Sequence, residues 1–193
     1  MGRLRQALIS RAVEAGVLQK PKGFEPVWIT DFPLFTPLYP DEPRSRASVG
    51  LTSTHHPFTA PHGDDFALLA TDPLKVRAEH YDIVINGIEL GGGSRRIHDP
   101  ELQRFVLADL LKLAEDKLHQ FDHLLDVLGS GCPPHAGLAL GFDRLISLLV
   151  GTSNIRDTIA FPKNHSGADP LVDSPSAVSD GDLEMYGLRK TWK

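Results

Sequence analysis

The 193 residues contain one cysteine, Cys132. A single thiol excludes an internal disulfide framework and fits a reducing compartment. No apolar run approaches the roughly 20 residues that a membrane helix needs, so no membrane span is expected. Positive charge is also in short supply. Twenty Lys and Arg stand against 25 Asp and Glu, a formal net charge of −5. No overall basic field announces nucleic acid, and any RNA contact must come from a local patch. Internal repeats are lacking too. What remains is ordinary globular material, 41% hydrophobic and 23% charged, long enough for one domain with a real core.

The N-terminal stretch carries Arg3, Arg5 and Arg11 before its first acid, Glu14. Two readings stay open there: a mitochondrial transit peptide, or an amphipathic helix over 3–15 with Leu4, Leu8 and Ile9 on its buried face. Further on, a short strand is expected at Val27–Phe32, closed by Pro33. A mobile loop rich in Pro, Ser and Arg is expected over 36–54, and a possible strand at Phe66–Leu69. Asp99-Pro100-Glu101 reads as a helix start, with an N-cap acceptor, proline in the first turn and an acid near the positive end of the dipole. A second helix carries Phe121, Leu124, Leu125 and Leu128 and ends at Gly129. Ala136–Leu140 reads as a strand and Phe142–Val150 as a helix stopped by Gly151. A last strand is expected at Thr158–Phe161. From about His165 the chain turns polar and loosely held. Hairpins mixed with flanking helices imply an α+β fold and not a doubly wound sheet.

The most informative stretch is Tyr81–His98, YDIVINGIELGGGSRRIH. Two β-rich runs meet at Asn86-Gly87, the strongest short hairpin signal. That turn sets Ile85 opposite Ile88, Val84 opposite Glu89, Ile83 opposite Leu90 and Asp82 opposite Gly91. Asp82, Val84, Glu89 and Gly91 then share a face. Asp82 and Glu89 become diagonal neighbours, about 7 Å apart at the backbone. Two such carboxylates beside a glycine can share a cation that carries phosphate oxygens. Strict alternation from Glu89 puts Arg95 on that face and Arg96 behind it, and a β-bulge in the glycine run would exchange them. Gly137–Arg144, GLALGFDR, runs from a small strand into a helix with Arg144 in the first turn, where a guanidinium can meet phosphate or stack on a purine. His55 and His56 suit one wall of a substrate pocket. As zinc ligands they fit poorly, because adjacent positions serve one metal badly and no zinc spacing links them to His98, Cys132 or His135.

Taken together, HHPFTAP, YDIVINGIELGGGSRRIH and GLALGFDRL occur in the order and spacing of the class II aminoacyl-tRNA synthetases. The chain resembles the C-terminal part of the catalytic domain of aspartyl-tRNA synthetases of the bacterial and mitochondrial type. WITDFPLF, PPHAGLALGFDRLISLLVG and NIRDTIAFPK extend the likeness over Val27 to Lys163. The resemblance implies a mostly antiparallel, helix-flanked sheet, here a partial domain. It implies the end of an insertion domain over 1–26, the catalytic part over 27–165 and a tail over 166–193. It also implies ATP and Mg2+ as cofactors, L-aspartate and tRNA(Asp) as substrates, and a homodimer for the full-length protein. Asp82 and Glu89 would hold Mg2+. Glu89, Gly141, Phe142, Asp143 and Arg144 would bind ATP. His55, His56, Ser94 and Arg96 would bind aspartate, with Gly91–Gly93 as the floor, and for Arg96 this requires the bulge. The family's dimer-interface signature, its arginine-bearing hairpin for the α-phosphate and its anticodon-binding barrel have no counterpart here, so the chain is expected to be a fragment that is inactive alone. The bacterial-type features combined with PELQRFVLADLLK resemble animal mitochondrial enzymes more than bacterial ones, and this resemblance implies the mitochondrial matrix over a bacterial-type cytoplasm. The alternatives are a non-catalytic truncated relative and an asparaginyl-type sibling.

Overall fold

The computed structural model describes residues 2–19, 22–38 and 50–191. By contact the chain divides into two compact units, Met1–Leu140 and Gly141–Lys193.

The first unit opens with α1, Gly2–Glu14. The helix forms, but the expected burial of its stripe does not. Leu4 and Leu8 are exposed, and the helix is held to the sheet by a polar contact, Gln6 Nε2 donating to Gly87 O at 2.5 Å. Four strands then build one sheet: β1 Pro26–Ile29, β4 His80–Ile85, β5 Ile88–Arg95 and β6 Ala136–Leu140, in that spatial order and all antiparallel. β1 stops short of the expected Phe32, because Asp31 takes a left-handed φ of 59° that ends the pleat. The stretch expected as a loop over 36–54 has strands at both ends, β2 Phe35–Pro37 and β3 Leu51–Ser53, paired antiparallel; its middle, 39–49, lies outside the described residues.

Phe66–Leu69 is not a strand. It belongs to a 3₁₀ helix, Gly63–Leu69, capped by His62, whose ring nitrogen accepts from Asp64 N. Asp65 in its first turn grips Arg77 through two side-chain hydrogen bonds of 2.8 and 3.0 Å, and this pairing overrides the β-propensity of the apolar run. α2, Pro100–Phe105, starts where expected, with the Asp99 side chain accepting from Leu102 N at 2.8 Å. It continues as a wider π-helical turn over Val106–Leu110. Short α3, Glu115–Leu118, and α4, Asp122–Gly129, follow. The core gathers Leu34, Phe35, Ala60, Leu69, Val76, Ala78, Ile97, Val106, Leu107 and Leu111. It joins β2, the 3₁₀ segment and α2, and leaves one face of the β4–β5 hairpin for polar groups.

In the second unit α5, Phe142–Val150, ends on Gly151 at φ 77°, a left-handed cap that glycine supplies without a Cβ clash. Thr158–Phe161 is a turn and not the expected strand. Local bonds compete successfully with a ladder there: Asn154 Nδ2 donates to Asp157 Oδ1, Thr152 Oγ1 to Asp157 Oδ2, and Arg156 to Lys163 O. Among its described residues the tail carries one short helix, α6 Asp180–Met185, capped by Ser179.

Candidate active site

Asn86 and Gly87 both have positive φ, 51° and 81°, the conformation of a type I′ turn. Asn86 also ties the hairpin tip to the segment before β1, accepting from Glu25 N and donating to Gly23 O. The pairs nearest the turn are those expected, Ile85 with Ile88 and Val84 with Glu89. The register then shifts. Ile83 faces Gly91 and Asp82 faces Gly92, where the simple count gave Leu90 and Gly91. Leu90 is the extra residue, and it is buried. The glycines explain why the bulge sits there. A Cβ on Gly91 would collide with the Ala139 carbonyl of β6, and one on Gly92 with the Asp82 carboxylate.

This shift decides which groups meet. Asp82 still lies two residues from Val84, the partner of Glu89, so the carboxylates remain diagonal neighbours on one face. Gly92 replaces Gly91 as the small residue beside them. Ser94 pairs with His80, and alternation carries Arg96 onto the same face and Arg95 behind. Behind the sheet, Arg95 Nη2 donates to Pro61 O at 3.1 Å and meets Glu79 at 3.7 Å. Arg95 also lines a separate cavity of 710 Å³ with Phe66, Ile97, Leu102 and Phe105.

On the front, the Arg96 guanidinium lies 4.8 Å over the Phe58 ring, a cation–π contact, and Phe58 stacks on His56 at 5.1 Å. Nη1 of Arg96 is buried and has no hydrogen-bond partner among the described residues. Ser94, 1% exposed, accepts a long 3.4 Å hydrogen bond from Thr59 Oγ1. The 55–58 segment is held from α2, where fully buried Gln103 donates to Pro57 O at 3.0 Å. His55 stacks on His80 with centroids 3.7 Å apart. Burial first, then the neighbouring His80, depress its pKa below the usual histidine value, against opposing pulls from Asp82 and Glu89. Four contributors escaped the sequence reading: His80, Phe32, Phe58 and Thr59. For His80 the signal was present, since it sits two residues before Asp82 on a strand. For Phe32 and Thr59 only the fold reveals it.

The carboxylate face has the chemistry of a site for a hard cation. Its donors are oxygens, and Gly92 leaves the room that the Asp82 carboxylate occupies, which a Cβ would take. Among the described residues no three His, Cys, Asp or Glu converge as a metal cluster. In the second unit Gly141 is the N-cap residue of α5, and Phe142, Asp143 and Arg144 fill its first turn. Asp143 O accepts from Thr158 Oγ1 at 3.1 Å and Arg144 O from Ser147 Oγ at 2.8 Å.

A family model described as class II tRNA synthetases (D, K and N) matches residues 10–165. The chain belongs to this family. It is 58% identical over 165 residues to the mitochondrial aspartate–tRNA ligase of Schizosaccharomyces pombe, covering 86% of this chain and 26% of that protein. It is 47% identical over 190 residues to the mitochondrial aspartate–tRNA ligase of Homo sapiens, covering 98% and 28%. This class II synthetase chain therefore spans about a quarter of the length of these relatives. A solved aspartyl-tRNA synthetase from Entamoeba histolytica aligns with TM-score 0.52 at 22% identity, over 83% of this chain and 26% of that one. That likeness concerns the fold, an antiparallel sheet with flanking helices.

Proposed function

We propose that this chain carries part of the aspartate-activating centre of an aspartate–tRNA ligase of mitochondrial type. One observation carries the reading: a buried Arg96 nitrogen without a hydrogen-bond partner among the described residues, on the same face as a carboxylate pair. A guanidinium so held gains a charge-assisted pair when a carboxylate arrives. Arg96 would receive the side-chain carboxylate of L-aspartate, with His55 and His56 as the wall and Ser94 as the floor. Asp82 and Glu89 would hold Mg2+, which when bound neutralises phosphate charge on ATP. In the second unit Arg144 would stack on adenine and reach the terminal phosphate, with Gly141, Phe142 and Asp143 around it. The reading takes 27–165 as the C-terminal part of the catalytic domain, 1–26 as the end of an insertion domain and 166–193 as the tail.

The chemistry has two displacements. An oxygen of the aspartate α-carboxylate attacks the α-phosphorus of ATP, and the bond to the β-phosphate breaks, releasing pyrophosphate. The terminal ribose hydroxyl of tRNA(Asp) then attacks the carbonyl carbon of the adenylate, losing its proton, and AMP leaves. No protein nucleophile is required; positioning and charge neutralisation lower the barrier. The names of the relatives support a mitochondrial matrix location, and a homodimer is the form proposed for the full-length enzyme. No helix among the described residues is long and apolar enough to cross a membrane. An asparaginyl-type sibling is the second reading, and the Arg96 cation argues against it, because an amide offers no charge to pair.

Equilibrium dialysis of the chain with L-aspartate and with L-asparagine tests the assignment. Preference for aspartate that disappears in Arg96→Ala is expected. Equal binding of the two amino acids would contradict it.

A further inference from the structure

His80 has no assigned part in the reading above. It precedes Asp82 by two residues on β4, so both side chains leave the same face. Only 9% of it is exposed. Its Nε2 lies 3.1 Å from Asp82 Oδ1. A carboxylate accepts only, so the shared hydrogen sits on Nε2. Its ring plane lies 8° from that of His55, with centroids 3.7 Å apart. Phe32 meets both rings edge-on, at 4.9 Å from His80 and 5.1 Å from His55. Nδ1 is buried with no hydrogen-bond partner among the described residues. The imidazole edge therefore restrains rotation of the Asp82 carboxyl, while its face sets the plane of His55.

We propose that His80 is a positioning residue shared by two subsites, turning the second oxygen of Asp82 toward a metal-bound nucleotide and holding His55 as the wall of the aspartate pocket. The proposal rests on the roles given to Asp82 and His55 above. Partners that orient a ligating carboxylate commonly matter by roughly 10- to 100-fold in affinity. Edge and face can be removed separately. Glutamine at position 80 offers an N–H near the place of Nε2 but no flat ring. Phenylalanine offers the ring but no donor. His80→Gln therefore keeps metal–nucleotide affinity and loses aspartate affinity, and His80→Phe does the reverse, each loss being about tenfold. A residue that only supports the fold would weaken both ligands in both variants.

The experiment uses the whole chain with two probes, Mn2+–ATP followed by the paramagnetic signal of the metal, and L-aspartate followed by equilibrium dialysis. The crossed pattern supports the positioning role, and parallel losses overturn it. Glu89→Gln tests the underlying metal reading separately: unchanged Mn2+–ATP binding in that variant would remove the metal role without touching the geometry of His80. A ligand-free measurement decides the matter where neither probe binds. Nitrogen-15 spectra of the imidazoles are expected to show His80 protonated at Nε2, its signal displaced by Asp82→Asn and that of His55 displaced by His80→Gln. A His80 protonated at Nδ1, or indifferent to Asp82→Asn, overturns the proposal.

Discussion

Arg96 and Gly92 show how single residues build the candidate site. Arg96 is useful because it is incompletely satisfied. Its guanidinium rests on Phe58 and leaves Nη1 buried, with no hydrogen-bond partner among the described residues. A buried donor without a partner costs about 1–3 kcal/mol or more, and a ligand carboxylate would recover it. Gly92 is useful for what it lacks, since a Cβ there would collide with Asp82 Oδ1. Gly92→Ala must push that carboxylate aside. It is expected to destabilise the chain by about 1–3 kcal/mol, as overpacking does, and to weaken Mg2+–ATP binding. Chemical denaturation and a nucleotide titration check the two parts, and a variant as stable and as tight as the parent would refute the crowding argument.

At the level of elements, the hairpin, the α2 cap and the strand-to-helix step into α5 were all legible, because each rests on local chemistry. Asn86-Gly87 demands left-handed φ, Asp99 caps Leu102 N, and Gly151 ends α5. Asp99→Ala should accordingly cost about 1 kcal/mol in a denaturant melt. The position of the bulge was not legible. It depends on where β6 comes close to Gly91, and no local pattern records that contact. The 3₁₀ helix at Gly63–Leu69 escaped for a similar reason, because the Asp65–Arg77 clamp spans 12 positions. Hydrogen bonding to Arg77 lowers the Asp65 pKa from 3.8 to about 2. A depressed carboxyl contributes its stability above the unfolded value and loses it as pH falls through the folded one. Wild type should therefore melt above Asp65→Asn by a constant margin above pH 3.8, and the margin should close toward pH 2. A margin that persisted at pH 2 would mean that the clamp is not electrostatic.

Viewed whole, the chain buries its core well but leaves large apolar groups open on β1 and α5. Trp28 is 54% exposed and Phe142 72%, and apolar surface of this kind marks interaction faces. The chain also spans only about a quarter of the relatives it matches. Aspartate-dependent ATP–pyrophosphate exchange by the isolated chain is therefore expected to be at background, and appreciable turnover would overturn that expectation. Family membership was readable from three motifs in fixed order. The candidate pocket was only half readable, because the face that Arg96 takes depends on a fold-set bulge and His55 is placed by its stack on His80. The most direct measurement is calorimetric binding of a non-hydrolysable aspartyl-adenylate analogue with Mg2+ to the wild-type chain and to Arg96→Ala. Binding to wild type that falls by roughly 10- to 100-fold in the variant, the scale of a lost charge-assisted hydrogen bond, is the predicted result. A folded chain that fails to bind, or that binds equally well without Arg96, would contradict the account.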